Sequence, residues 1–277
     1  MIPYTPIPIL FSIGSFNIYT WGTIVAFAII FSLLMVMRKS EKFGIKPDNV
    51  LNAFLWLVLG ALIGGKIGYV MFNLDKLGIE MLQGGFASFG AICGGIITMM
   101  LYTKTNKINF WKIADLFAPY IALSFAIGRI GCFLRGCCFG LPTDLPWGVL
   151  YSQGSLASQI FSVPLHPTQL YESIACFAIA FLLFKLEKRK AMMMKINGFS
   201  ACRKCEAFPR KKGKKLIEGS LFLLFIILYF AQRFLIDFMR YYPAKEHLGP
   251  FTLMQIASVF VIIAAAIIIK NKKERKS

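Results

Sequence analysis

Hydrophobic positions in this chain run in unbroken blocks and do not alternate or line one side of an amphipathic stripe. The blocks near 18–37, 50–72, 86–102, 111–127, 167–184, 219–239 and 250–269 approach or exceed the roughly 20 apolar residues that a bilayer-crossing helix requires. The pattern predicts an all-α integral membrane protein of about seven transmembrane helices, one polytopic membrane domain over 1–277. The opening "MIPYTPIPILFSIGSF" has three prolines and no basic start, so it does not read as a cleavable signal peptide and is expected at the outer interface.

Charge fixes the orientation. Of 31 Lys and Arg residues, 24 fall in four segments: four in 38–46, three in 104–112, twelve in 185–215 and five in 270–276. These are every second connection of a seven-crossing chain, which puts the N-terminus outside and the C-terminus in the cytoplasm. A formal net charge of +18 in a soluble protein would suggest nucleic acid. Here the basic segments match cytoplasmic loops facing anionic headgroups, so nucleic acid is excluded and membrane lipid is the expected partner. A long outer segment is expected at 128–166, and a mobile basic insert at 185–215 lying along the inner leaflet.

Within the second span, "GALIGGKIG" sets Gly60, Gly64 and Gly68 at four-residue spacing, the pattern of a close helix–helix seam. Lys66 in the same stretch either faces a polar interior or snorkels toward the interface. In the insert, Cys202 and Cys205 form a CxxC pair without the further ligands of a zinc site or the strand and helix setting of a redox motif.

Three polar clusters interrupt the apolar blocks. "GRIGCFLRGCCFG" at 128–140 gathers Gly128, Gly131, Gly136 and Gly140 around Arg129 and reads as a glycine-rich turn, either structural or suited to a phosphate group. "YFAQRFLIDFMRYYP" places Tyr229, Arg233, Asp237 and then Arg240 along one face of an apolar helix, a face that cannot meet lipid. Arg233 and Asp237 can pair with each other, while Arg240 leaves positive charge in excess; a pocket with Arg129 and Arg233 would suit bidentate phosphate binding. "HPTQLYE" opens the fifth span with His166, Gln169, Tyr171 and Glu172. His166 is either a general base or a helix-capping residue.

Taken in order, these motifs resemble the bacterial prolipoprotein diacylglyceryl transferase family, from "YTWG" near the first span to "TLMQIAS" in the last. The resemblance rests on "GGKIGYV", Asp115 with Pro119, "GRIGCF" with Gly140, "HPTQLYE" and "YFAQRFLIDFMRYYP". It implies an inner-membrane enzyme that moves the diacylglyceryl group of phosphatidylglycerol onto the lipobox cysteine of a prolipoprotein, forming a thioether and releasing glycerol phosphate. It also implies that Arg129 and Arg233 are the essential arginines, with Tyr229 and Asp237 in the places of a family tyrosine and glutamate; His166, read from its own chemistry as a general base, is expected in the catalytic set. Gly128, Gly131, Gly140, Lys66, Gln169, Tyr171, Glu172, Tyr229 and Asp237 would then line the substrate site. No cofactor or metal is expected.

The chain departs from the family pattern at several positions. Cys132, Arg135 and Cys137 replace two asparagines and a glutamate of the usual signature, Phe89 replaces a histidine before "GAICG", and Val25 replaces a tyrosine. The acceptor thiol has an ordinary pKa of about 8.5 and needs help to ionise. His166, Glu172 and the field of the arginines are all candidates for that help. The outer cysteines admit two rival readings: a thiol–disulfide oxidoreductase, and a zinc site from Cys132, Cys137, Cys138 and His166. A non-enzymatic lipid-binding protein and a transferase with another acceptor are the further alternatives.

Overall fold

The computed structural model describes residues 1–14, 16–72, 88–199, 218–242 and 247–274. Cys202 and Cys205, and the part of the insert from 200 to 217, lie outside the described residues, as does the side chain of Phe89. Seven α-helices occur among the described residues: α1 Thr20–Ser40, α2 Pro47–Phe72, α3 Ser88–Thr105, α4 Phe110–Arg135, α5 Thr168–Phe199, α6 Ser220–Ile236 and α7 Leu253–Glu274. Five segments are long and apolar enough to cross a membrane: α1, Pro47–Met71 of α2, α4, Thr168–Arg189 of α5, and α7; α6 is apolar but shorter. Large apolar side chains such as Phe27, Ile30, Phe181 and Phe260 point outward, as lipid-facing helices require.

The chain forms two compact units, Leu33–Leu116 and Met1–Ser32 with Phe117–Ser277. In the first, α2 and α3 meet along the predicted glycine seam. A Cβ on Gly64 would sit 2.3 Å from the Gly90 carbonyl oxygen, and one on Gly94 would sit 2.2 Å from that of Gly60. The Thr98 hydroxyl then donates to the Trp56 carbonyl at 2.7 Å, a polar clip that only close backbones permit.

In the second unit, small residues of α4 bring α5 and α6 together: Ala118 and Ala122 pack with Ile179, Ala180, Leu183, Leu221 and Phe225. Hydroxyls pin the neighbours. Ser124 donates to Ser32 at 2.8 Å, tying α4 to α1, and Ser173 donates to the Ala126 carbonyl at 2.8 Å, tying α5 to α4. Outside the helices lie short strands: β1 Ile2–Tyr4 parallel to β4 Val149–Tyr151, β2 Ile9–Ile13 antiparallel to β3 Phe16–Tyr19, and β5 His247–Leu248 antiparallel to β6 Phe251–Thr252. They give partners to backbone groups that the all-α expectation left unassigned. Phe139, Val149, Tyr151, Ala157 and Leu165 form a small core there.

Three boundaries differ from the sequence reading. The fourth helix does not stop at 127 but continues to Arg135, so Gly128, Arg129 and Gly131 are helical and the turn begins only at Gly136. Interior glycines cost a helix only about 1 kcal/mol each, less than the unsatisfied amides that breaking it in an apolar setting would leave. The fifth helix runs on to Phe199, so 185–199 is helix and not the expected loop; its Lys, Glu, Arg, Met and Ala are good helix formers. The sixth helix ends at Ile236, which takes Arg240 off the helix altogether.

Candidate active site

The end of α4 sets the geometry. Gly136 takes a φ of +74°, its N–H donates to the Phe133 carbonyl at 2.9 Å, and the Cys137 N–H donates to the Cys132 carbonyl at 3.1 Å. This is a Schellman cap, which brings the third residue before the cap against the second beyond it. Here those two residues are Cys132 and Cys137, and Cys138 follows at a φ of +65°, a conformation non-glycine residues rarely adopt.

Three distant segments then join by backbone. Gly140 bridges to Arg240, the Leu141 N–H donates to the Met239 carbonyl at 2.8 Å, and the Gly140 N–H donates to the His166 carbonyl at 2.9 Å. A Cβ on Gly140 would lie 2.5 Å from the Met239 carbonyl oxygen and 2.6 Å from the His166 Cβ, so glycine is required by the neighbours on both sides. The first turn of α5 closes the arrangement. Thr168 donates to the Cys138 carbonyl at 2.8 Å, and the Gln169 amide donates to the Cys137 carbonyl at 2.7 Å and to the Tyr151 hydroxyl at 3.2 Å.

At the centre stands Glu172, whose side chain is only 1% exposed. Arg129 Nε lies 2.5 Å from its Oε2 as an ion pair, while Arg233 Nη1 and Arg240 Nη1 donate to its Oε1 at 2.6 and 2.8 Å. Arg233 also faces Asp237 through Nε at 3.2 Å and Tyr242 through Nη2, and Tyr242 donates to Asp237 at 2.9 Å. The Arg240 guanidinium additionally lies 5.3 Å from the centre of the Tyr242 ring. Three guanidinium groups therefore surround two carboxylates, one positive charge in excess.

The arginines are not equivalent. Each nitrogen of Arg233 already faces a protein group, and its side chain is 6% exposed. Arg129 is 19% exposed and, among the described residues, pairs through Nε alone, which leaves its two terminal amino groups for another anion. Tyr229 lies one turn before Arg233, its ring stacked on Phe125 at 5.0 Å.

The remaining residues singled out in the sequence occupy other places. His166 meets the Tyr171 hydroxyl at 3.4 Å, and that hydroxyl receives the Trp147 indole N–H at 2.7 Å. Burial lowers the His166 pKa, so its ring is neutral near pH 7. Gly128 and Gly131 face α1, with the nearest atoms to an added Cβ at 3.7 Å on Val25 and at 3.4 Å on Ile24 and Trp21. They pack within α4 against α1, and the glycine turn expected from 128 begins only at Gly136. Lys66 is half-buried on α2, in the other unit.

Of the four residues weighed as a zinc set, the sulfurs of Cys132, Cys137 and Cys138 lie within 4.8 Å of one another, and His166 is not among them. The side-chain contacts of Cys132 and Cys137, with smaller contributions from Arg240 and Arg129, hold the Cys138 thiol well below the ordinary range, while contacts with Cys132 and Cys138, and burial, push the Cys137 thiol up. Sequence reasoning missed Tyr242 as a partner and gave Arg240 no place in the site. Both lie past the end of α6, so the continuous helical face on which the sequence placed Arg240 is not what brings it to Glu172.

A family model described as prolipoprotein diacylglyceryl transferase matches residues 8–270. A phosphatidylglycerol–prolipoprotein diacylglyceryl transferase of Clostridium tetani is 31% identical over 97% of this chain and 99% of its own length. The protein of that name from Acaryochloris marina is 32% identical over 93% of this chain and 88% of its own. With the arginine-centred site carried on segments that this match spans, the chain belongs to the prolipoprotein diacylglyceryl transferase family.

Proposed function

We propose that the protein transfers the diacylglyceryl group of phosphatidylglycerol to the lipobox cysteine of prolipoproteins, as the names of its relatives describe. The observation that carries this reading is the cluster of Arg129, Arg233 and Arg240 around buried Glu172 and Asp237, with one positive charge to spare. A phosphodiester headgroup carries one negative charge and completes that balance. Arg129 supplies the direct contact with the phosphate through its free amino groups. Arg233, held by Glu172, Asp237 and Tyr242, fixes the cluster's shape and adds to its field.

In the reaction the acceptor sulfur, as thiolate, forms a bond to carbon three of the diacylglyceryl unit. The bond from that carbon to the phosphate oxygen breaks, and glycerol phosphate leaves with the electron pair. Guanidinium groups fixed before the charge appears stabilise it without reorganising. Glu172, committed to three cations, serves to aim them rather than to take a proton. Gln169 and Gly140 hold the turns in place, Tyr171 orients His166, and Tyr229 extends the headgroup region along α6.

The chain is further read as a single domain of seven crossings in the bacterial inner membrane, N-terminus outside and C-terminus in the cytoplasm. The alternation of basic segments supports this. The test is direct: purified protein, phosphatidylglycerol vesicles and a lipobox peptide should give the mass gain of a diacylglyceryl thioether. The Arg129→Gln variant should lose nearly all of it, and undiminished transfer by that variant would overturn the assignment.

A further inference from the structure

We infer that Cys132, Cys137 and Cys138 bind a single Zn²⁺ whose fourth position receives the acceptor thiol. Tetrahedral zinc with sulfur at about 2.3 Å spaces its ligands about 3.8 Å apart. The three sulfurs already lie within 4.8 Å of one another, so small side-chain rotations complete the set.

The backbone holds this arrangement. The Schellman cap juxtaposes Cys132 and Cys137, the positive φ of Cys138 turns its side chain back toward them, and Gln169 and Thr168 clamp the carbonyls of Cys137 and Cys138. Strained residues at a positive φ persist where the surroundings over-determine them, and such places cluster at functional sites. All three cysteines are free in this arrangement.

Three protein ligands and one open position is the pattern of catalytic zinc, whereas structural zinc closes its fourth position with protein. Thiolates are soft donors that suit Zn²⁺. Arg129 lies three residues before Cys132, hence on the same side of α4, and the Arg240 backbone bridges to Gly140 just beyond Cys138. The metal therefore sits beside the cations proposed to hold the phosphate. The acceptor thiol gives its proton to water as its sulfur takes the open position. The bound sulfur then bonds to carbon three as the carbon–oxygen bond to phosphate breaks, its electrons leaving with the phosphate, and the zinc stays in the same oxidation state.

The metal site stands on geometry alone; the identity of its fourth ligand rests on the transferase reading. The test uses the full-length protein in detergent under reducing conditions, with Zn²⁺ and Cd²⁺ as probes. Metal analysis should find one Zn²⁺ per chain, reduced to background in Cys137→Ser/Cys138→Ser. Bound Zn²⁺ should also shield all three thiols of the unaltered protein from alkylation, read by mass. Cd²⁺ should give a thiolate charge-transfer band that rises by about one third, from three thiolates to four, when a cysteine lipobox peptide is added and not with its serine counterpart. No thiol-bound metal, equal metal in the variant, or a disulfide in the isolated protein overturns the site. Full transfer activity after chelation overturns the metal's role while the transferase reading survives. Metal and peptide thiol bound, with no diacylglyceryl transferred, leaves the site standing and sinks the transferase reading.

Discussion

Replacing Glu172 with Gln tests the centre of the arrangement, because the change keeps shape and removes the one charge shared by three arginines. The carboxylate is buried, with guanidinium nitrogens at 2.5, 2.6 and 2.8 Å, so solvent screening offers little relief. Removing one partner of a buried ion pair costs about 3–5 kcal/mol, chiefly from the charge left behind. The glutamine oxygen still accepts one hydrogen bond, which places the expected loss at the low end, about 3 kcal/mol. At roughly 2–4 °C per kcal/mol for a chain of this size, thermal unfolding in detergent should shift down by about 10 °C. Arg129 loses the ion pair that fixes it among the described residues, and a displacement of about 1 Å at a reacting group costs on the order of 100-fold in rate, so transfer to a lipobox peptide should fall at least that far. Adding Arg240→Gln to the same chain removes one uncompensated cation and should recover part of the stability, the mark of coupled charges. Wild-type melting and turnover in Glu172→Gln would refute the reasoning, as would strictly additive losses in the double variant.

The other expectations follow from the same contacts. Arg240→Gln alone cancels the excess charge, so the KM for phosphatidylglycerol should rise about tenfold, the scale of one charge-assisted hydrogen bond, with a smaller change in kcat. Gly94→Ala places its Cβ 2.2 Å from the Gly60 carbonyl oxygen and should lower stability by about 1–3 kcal/mol, while Gly128→Ala, with 3.7 Å to Val25, should melt like wild type. Because burial depresses the His166 pKa, the folded state binds its proton less readily than the unfolded chain. The stability tied to neutral His166 is present above pH about 6.5 and is lost as pH falls through the lowered value. His166→Asn should therefore flatten the pH dependence of melting below about 6.5 and leave it unchanged above.

The helices were legible because apolar blocks of about 20 residues leave few alternatives. The glycine seam of α2 was legible because four-residue spacing of small residues has one common use. Arg129, Arg233, Glu172 and Asp237 stood out for the cost of charge in apolar surroundings. What brings them together did not, since Gly140, His166 and Arg240 meet through backbone bonds between segments far apart in sequence. Gly128 and Gly131 misled, because a glycine-rich composition suggests a turn while an apolar setting keeps the helix intact. The joining of Cys132 to Cys137 was written in "CFLRGC", where a glycine at the cap fixes which residues face each other, but that signal is read only once the helix end is known.

A buried ionic hub is a poor way to gain stability, since desolvation consumes most of the Coulombic return. Its value here lies in fixing how much charge is left over. With one positive charge in excess, the cluster would, on the proposed function, neutralise a monoanionic phosphodiester and so favour the bound lipid. The released glycerol phosphate is a monoester whose second ionisation lies near pH 6, so it carries close to two negative charges at neutral pH. In a site of low polarity that second charge has no partner, and the product is held less well than the substrate. A cluster of three bare arginines would bind both tightly and release neither. Glu172 and Asp237 thus set the balance between capture and release, which explains why acidic groups are buried among cations that are there to meet a phosphate.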